Sequence, residues 1–188
     1  MRSLSDEPAM PLPHFRYHPD PLASGSVVVS TAICRRCGEA RGYVYTGPVY
    51  AEGDLEDALC PWCIGDGSAN GDLGAEFVDS EAFGEGTPEP AIDEITRRTP
   101  GYCAWQSEVW PDCCGDATAF LAPVGMTELQ GAFRGFSGSV LNHIIYDLGI
   151  SGGAATRLLE SLQRETGPTA YLFQCLHCDG HHVHVDHP

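Results

Sequence analysis

The hydrophobic pattern in the first part of the chain predicts a β-hairpin. β-branched residues cluster in SVVVSTAI at 26–33, which predicts a strand, and ARGYVYTGPVY at 40–50 predicts a returning strand. The sequence CRRCG at 34–38 lies between the two runs and is typical of a turn. The proline-rich residues 1–25 are expected to be irregular, because proline interrupts helices and central strands.

In the second part of the chain, apolar residues recur at helical spacing. The segment PAIDEITRR at 90–98 predicts a short helix that ends before Thr99-Pro100-Gly101. The same period predicts three further helices, at 126–136 from a Thr127 cap, at 138–149, and at about 152–166 with Ser151 as its cap. Residues 169–186 predict a strand, a turn and a second strand. Together these elements indicate an α+β fold.

The segment between these two parts is rich in glycine and acidic residues, and it predicts an acidic loop at 66–90. Repeats and a clear linker are absent from the sequence. We therefore expect a single domain over residues 1–188. It would comprise a first region at 11–65, a second region at 90–186, and the loop between them.

The charge balance narrows the classes of partner. The chain has 188 residues, 43% of them hydrophobic, and a formal net charge of −16, with arginine as its only strongly basic residue type. Such a charge argues against a surface that binds nucleic acid or anionic lipid, because those surfaces need clustered basic residues. It favours solubility, which by itself would account for the charge, and it would also attract a basic protein partner. The oligomeric state is left open.

The first residues of the sequence lack the apolar core of a signal peptide, so we expect a cytoplasmic protein. Cysteines stay reduced in that compartment, and nine of them then require a role other than disulfide formation.

Two C-x-x-C pairs, Cys34/Cys37 and Cys60/Cys63, are separated by a stretch typical of four-cysteine zinc sites. Each pair directs two thiolates at one point, and two pairs complete a tetrahedron. A knuckle, a hairpin and then ligands at a helix start resemble a treble clef or zinc ribbon. The alternative is a redox pair with Cys60 at a helix N-terminus.

A third C-x-x-C, Cys175/Cys178, predicts a second knuckle hairpin, and the adjacent Cys113 and Cys114 are its natural complement. We therefore predict two structural zinc ions. Substitute ligands near the second site are Asp112, Asp116, His177 and His181. Cys103 is left over and is interpreted as a small buried side chain, and the C-terminal histidines as exposed polar residues.

Six motifs in register resemble the CbrC family, a bacterial family of largely uncharacterised proteins whose namesake is linked to colicin tolerance. The motifs are LPHFRYHPDPLASG, CRRCGEARGYVYTGPVY, LCPWCIGDGSA, RRTPGYCAWQSEVW, CCGDATAFLAPVG and YLFQCLHCDG, which span about residues 11–186. In that family's pattern Cys113 stands at a histidine position and Thr118 at a cysteine position. The resemblance therefore makes Cys114, Cys175 and Cys178 firmer ligands than Cys113. It also implies a role in stress response or colicin-like toxin tolerance or immunity.

Several residues outside the cysteine pairs combine polar groups with large aromatic rings, and they are candidates for a functional surface: Asp66, Ser68, Tyr102, Trp105, Gln106 and Glu108. If they meet, they form a polar-aromatic groove. Otherwise the tryptophans belong to the core, and Asp66 or Ser68 caps a helix. The sequence favours a non-catalytic zinc protein that binds a macromolecular partner. The alternative is a hydrolase that uses the Asp66/Trp105/Gln106/Glu108 region, although no complete nucleophile and base set is present.

Overall fold

The computed structural model describes residues 10–187. The prediction that residues 1–25 are irregular therefore lies outside the described residues for positions 1–9. The rest of that segment is irregular up to a single helical turn, α1 (Pro21–Ser24), which the sequence did not predict. The turn forms because the Asp20 carboxylate accepts a hydrogen bond from the Ala23 N–H and Pro21 occupies the first helical position.

The predicted N-terminal hairpin is present but shorter than expected. Strands β1 (Val27–Val29) and β2 (Tyr43–Tyr45) are antiparallel, with Val27 opposite Tyr45. Beyond Val29 one more hydrogen bond continues the pairing, from the Ser30 N–H to the Gly42 carbonyl at 3.0 Å. The knuckle then closes, with the Gly38 N–H donating to the Cys34 carbonyl at 2.8 Å.

The predicted loop at 66–90 is partly wrong. Helix α2 (Pro61–Gly65) leads directly into a second short helix, α3 (Ser68–Leu73), inside that segment. Phe77 and Val78 are fully buried there. The α3 helix is bounded by Gly67 and Gly74, which both adopt the left-handed conformation that glycine takes without strain. The glycine residues of this segment therefore mark the two ends of a helix, and they do not only form a loop. The predicted helix at 90–98 is confirmed as α4 (Glu89–Arg98).

A three-stranded antiparallel sheet forms the centre of the second part. Its strands, in their order across the sheet, are β5 (Ala119–Val124), β6 (Thr169–Gln174) and β7 (His181–Asp186). The predicted second knuckle hairpin is therefore confirmed as β6 and β7, with Cys175 and Cys178 in its turn. A two-residue ladder, β3 (Asp112–Cys113) with β4 (Asp116–Ala117), precedes the sheet.

The helices over this sheet are shorter than the sequence predicted. They are α5 (Met126–Gln130), a 3-10 turn at Arg134–Phe136, α6 (Ser137–Asn142) continuing as a π-helical turn at His143–Asp147, and α7 (Gly153–Ser161).

The predicted caps of two of these helices are wrong. Gly125, not Thr127, precedes α5, and its N–H donates to the Glu128 carboxylate at 2.9 Å. Gly152, not Ser151, precedes α7. The α7 helix ends early because Leu162 is extended and its carbonyl accepts the Met126 N–H at 2.9 Å. Long-range pairing thus overrides the local helical period.

Among residues 10–187, the buried apolar side chains form three hydrophobic clusters. The first surrounds Cys34, Cys60 and Cys63, and the third packs the helices on the sheet. The second is aromatic and joins Tyr17 of the N-terminal segment to the sheet. Its centre is Tyr102, whose ring stacks on Phe120 at 4.4 Å between centroids. Within residues 10–187, no helix has the length and apolarity needed to cross a membrane.

Candidate functional site

The first cysteine cluster joins the hairpin knuckle to the start of α2. The Sγ atoms of Cys34 and Cys63 lie 3.8 Å apart, and those of Cys37 and Cys60 lie 3.9 Å apart. All four sulfur atoms fall within 4.8 Å of one another, and Cys34, Cys60 and Cys63 are buried. The structure thus brings together the four residues that the spacing predicted.

Local backbone geometry explains how the two pairs converge. Gly38 takes a left-handed conformation after the knuckle, and Pro61 occupies the first position of α2, so Cys60 precedes the helix and Cys63 lies within its first turn. The Arg35 N–H donates to the Ala58 carbonyl at 2.8 Å, which ties the knuckle to the segment entering α2.

Electrostatics in this cluster favour a bound cation. Burial raises the pKa of the Cys34 thiol, but the backbone N–H groups of Cys37, Cys60 and Arg36 outweigh it and lower that pKa to about 7. Burial also raises the pKa of Cys60, to about 11, and that of Cys63 further. The Cys34 thiol thus ionises readily, and the thiolates of Cys60 and Cys63 need a positive charge beside them.

The second cysteine cluster is built from adjacent residues and the second knuckle. The Sγ atom of Cys178 lies 3.9 Å from that of Cys113 and 3.7 Å from that of Cys114, and Cys175 completes the group. Cys113 is therefore brought into the cluster together with the three ligands that the resemblance made firmer. Cys114 has a positive φ of 55°, which is uncommon for a residue with a side chain. The two neighbouring sulfur atoms lie 3.8 Å apart.

The two clusters differ in exposure. In the second cluster only Cys175 is buried, Cys113 is intermediate, and Cys114 and Cys178 are exposed. The His177 N–H, 3.4 Å from the Cys175 sulfur, lowers the pKa of that thiol to about 6.

The Asp116 carboxylate lies beside this second cluster and connects its knuckle to the rest of the protein through hydrogen bonds. Its carboxylate accepts hydrogen bonds from Arg16 at 2.6 Å, from Tyr17 at 2.8 Å and from His177 at 2.7 Å. Burial alone would raise the pKa of Asp116, but the hydrogen bonds from His177 and Tyr17 and the charge of Arg16 outweigh it and lower that pKa. Asp116 and His177, predicted as substitute ligands, instead bind each other and link β4 to the second knuckle.

The sulfur spacings in both clusters match a tetrahedral ion. Four sulfur ligands at about 2.3 Å from a zinc ion are separated by about 3.8 Å. A disulfide would need about 2.05 Å between sulfurs, and all nine cysteines are free. The Cys60 and Cys63 sulfurs lie close to those of Cys34 and Cys37, which favours a metal site over the redox pair that the sequence left as the alternative. Both clusters suit a structural ion with four protein ligands.

Two of the predicted surface residues lie apart from the others, and their side chains form hydrogen bonds with nearby backbone groups. The Asp66 carboxylate accepts a hydrogen bond from the Ser68 N–H at 2.8 Å, at the start of α3. The Ser68 hydroxyl donates to the Cys63 carbonyl at 3.4 Å. The N-cap of α3 is Gly67, so the cap that the sequence placed at Asp66 or Ser68 is wrong, although Asp66 binds the first N–H of the helix. The structure does not bring either Asp66 or Ser68 together with Glu108, because neither lines the cleft where Glu108 lies.

The remaining candidates have different environments. Tyr102 is buried, and its hydroxyl donates to the Val109 carbonyl at 2.8 Å. Trp105 is partly exposed and donates to the Thr169 hydroxyl at 3.0 Å. The Gln106 N–H donates to the Asp186 carboxylate at 2.7 Å. Trp110, by contrast, is fully buried in the aromatic cluster.

Tyr102, Gln106 and Glu108 do line one cleft of about 610 Å³. The opposite wall of this cleft, at Thr46–Tyr50, was not predicted, although TGPVY belongs to one of the six family motifs. The prediction that Cys103 is a small buried side chain is wrong, because Cys103 is exposed at the cleft.

Comparisons with known proteins give a family without an assigned activity. The sequence model of the uncharacterised protein family UPF0167 matches residues 12–187. A UPF0167 protein of Mycobacterium bovis and one of Mycobacterium tuberculosis are each 42% identical over 176 residues, which is 93% of this chain and 93% of each relative. A UPF0167 protein of Pseudomonas aeruginosa is 41% identical over 183 residues, covering 94% of this chain and 97% of the relative. No solved structure matches the chain.

Proposed function

This chain belongs to the uncharacterised protein family UPF0167, and we propose that it is a non-catalytic protein that holds two structural zinc ions and binds a basic protein partner. The observation that carries the metal proposal is the presence of two four-sulfur groups, each with all its ligand atoms within 4.8 Å of one another. Four thiolates satisfy a tetrahedral zinc ion fully, so no coordination position is left for a catalytic water.

Zinc is the metal that these ligands favour. Soft thiolates select zinc, copper(I) or iron–sulfur chemistry, and a tetrahedral four-thiolate set is typical of structural zinc. The N-terminal knuckle, the hairpin around it and the ligands at the start of α2 support a treble-clef-like interpretation of the first site.

The acidic character of the chain supports a basic partner. A net charge of −16 raises the local concentration of cationic ligands and repels nucleic acid. The motif resemblance to the CbrC family adds a context of stress response or colicin-like toxin tolerance, in which an acidic protein binds a basic toxin. We expect this binding to take place in the cytoplasm.

Metal analysis of the purified chain tests the first half of this proposal. We expect about two zinc ions per chain, one for each four-cysteine group. One zinc ion would overturn the assignment of the second cluster, and iron with visible absorption bands would overturn the choice of metal.

Affinity capture from the native host, followed by calorimetry with the purified partner, tests the second half. We expect direct binding to a basic protein, with an affinity that falls as the salt concentration rises. A partner that binds equally well at high salt, or an acidic one, would overturn the electrostatic interpretation.

A further inference from the structure

A cleft on one side of the molecule takes no part in either cysteine cluster. It has a volume of about 610 Å³, within the range of small-ligand sites. Residues 46–56 form one wall and residues 102–108 the other, with Asp79, Glu81 and Ala82 beside them. Neither cluster contributes a cysteine to this cleft.

The cleft is lined by carboxylates that differ in their exposure to solvent. Asp54, Glu56, Asp79 and Glu81 are exposed, whereas Glu108 is partly buried. Among the described residues that line the cleft, none is arginine or histidine. The cleft therefore presents a concentrated negative charge, with Glu108 as its most enclosed carboxylate.

Glu108 has hydrogen-bonding capacity that the protein leaves unused. Its Oε2 atom accepts hydrogen bonds from the Tyr50 hydroxyl at 3.2 Å and from the Asp79 N–H at 2.9 Å. Its Oε1 atom is buried and has no hydrogen-bond partner within residues 10–187. A buried acceptor without a partner is unfavourable, and a ligand donor that reaches Oε1 would satisfy it.

The raised pKa of Glu108 is that of an enclosed carboxyl group with no positive charge beside it within residues 10–187. Burial raises the pKa of this carboxyl group to about 7, against the opposing hydrogen bonds from Asp79 and Tyr50. The other ionisable groups near it are acids, phenols and a thiol, and none of them supplies a cation: Asp79, Tyr45, Tyr50, Tyr102 and Cys103.

The arrangement of these carboxylates disfavours a metal ion. Within residues 10–187, groups of three or more ligand atoms close enough to share an ion occur at the two cysteine clusters and not in this cleft. A divalent cation needs several converging oxygen atoms. Dispersed carboxylates with one enclosed acceptor suit an organic cation that carries several N–H donors.

We propose that this cleft receives an arginine side chain of a basic polypeptide, with its guanidinium bound at Glu108. The five N–H donors of a guanidinium form a planar fork that fits a carboxylate, and the exposed acids around Glu108 attract the flanking positive charge. This inference rests on the proposed function, since it assigns the place where the proposed basic partner binds.

A matched pair of short peptides tests the cleft. One is a capped five-residue peptide with a central arginine, and the other carries neutral citrulline at the same position. Two-dimensional NMR of the zinc-loaded chain detects weak binding and locates it. We expect saturable shifts at residues 46–50 and 102–108 with the arginine peptide, and affinity at least about tenfold lower with the citrulline peptide.

Two variants with the same change of charge complete the test. Glu108→Gln should remove the preference for arginine, whereas Glu85→Gln changes an exposed carboxylate outside the cleft and should preserve it. Tyr50→Phe removes a donor to the Glu108 carboxylate and provides a second variant in the cleft if Glu108→Gln folds poorly. We expect this variant to alter the arginine affinity while the shifts stay at the cleft.

Equal binding of the two peptides, shifts outside the cleft, or equal behaviour of Glu108→Gln and Glu85→Gln would overturn the assignment. If the purified basic partner still binds Glu108→Gln at full affinity, the cleft assignment fails while the proposed function stands. If no basic partner binds even the unmodified chain, the proposed function itself fails.

Discussion

His18 and Pro100 are joined by a buried hydrogen bond between segments 82 residues apart in sequence: the imidazole Nδ1 lies 2.7 Å from the Pro100 carbonyl oxygen. The other ring nitrogen, Nε2, lies 2.7 Å from the Ser24 hydroxyl. The carbonyl can only accept, so Nδ1 carries a proton and a neutral ring accepts at Nε2. The N-terminal segment is thereby attached to the start of the wall that carries Tyr102 and Glu108.

The stability of the protein should fall in mild acid because of His18. Full burial lowers the pKa of His18 from 6.5 to about 4, so the unfolded chain binds the proton more tightly than the folded chain does. The contribution of His18 is therefore complete above about pH 6.5 and is lost as the pH falls towards 4, amounting to about 3 kcal/mol. Urea unfolding of the unmodified chain and of His18→Gln at pH 7 and pH 5 measures it. The difference between the two proteins should shrink at pH 5, and a constant difference would contradict the prediction.

A methyl group at Gly101 should disrupt the packing of this backbone segment against Phe77. A Cβ atom there would overlap the backbone carbonyl oxygen of Phe77, which cannot move aside as a side chain could. Gly101→Ala should lower the free energy of unfolding by at least about 3 kcal/mol. Gly71→Ala is the matched control, because nothing lies within 4 Å of its Cβ position in α3. That control should be neutral or stabilising by up to about 1 kcal/mol, and thermal unfolding of both variants compares them.

Removal of one ligand from the first cluster should unfold the region around it. Cys60→Ser breaks a site whose metal contributes on the order of 10 kcal/mol to folding. Zinc per chain should fall from about two to about one, and the hairpin signals in NMR spectra should lose their dispersion. Cys103→Ser changes an exposed thiol outside both clusters and should keep both metals and the original melting temperature. A native melt for Cys60→Ser would show that the first site is not structural.

The two clusters should release metal at different rates. Cys114 and Cys178 are exposed, whereas three of the four cysteines in the first cluster are buried, so a chelator reaches the second cluster first. Release into a chromogenic chelator should have a fast and a slow phase of similar amplitude. Cys178→Ser should abolish the fast phase and leave the slow one, and survival of the fast phase in that variant would contradict this order.

Asp116 should support the second cluster without being one of its ligands. Asp116→Asn replaces one acceptor oxygen of a buried group that receives hydrogen bonds from Arg16, Tyr17 and His177. We expect a loss of about 2–3 kcal/mol in stability and about a tenfold loss of metal affinity at the second cluster. Asp179→Asn is the control, because Asp179 is exposed in the same knuckle. Competition with a zinc indicator measures the affinity, and equal results for the two variants would show that Asp116 does not position the cluster.

The sequence by itself determined the features that depend on local geometry. The C-x-x-C pairs at Cys34 and Cys175 were predicted as knuckles because a turn of this length brings two thiolates together irrespective of the rest of the fold. The strands on either side of each knuckle followed from their β-branched and aromatic residues, and α4 followed from its period and its proline boundary.

Only the tertiary structure decided which distant groups meet. Cys113 joins Cys178 because the β3–β4 turn lies against the second knuckle, and Asp116 and His177 became partners for the same reason. The cleft at Glu108 likewise needs Thr46–Tyr50 opposite residues 102–108. The α7 helix stops before its apolar period ends because Leu162 pairs with Met126. Sequence periodicity reports the preferences of neighbouring residues, whereas these contacts depend on chain packing across long separations, which no local pattern encodes.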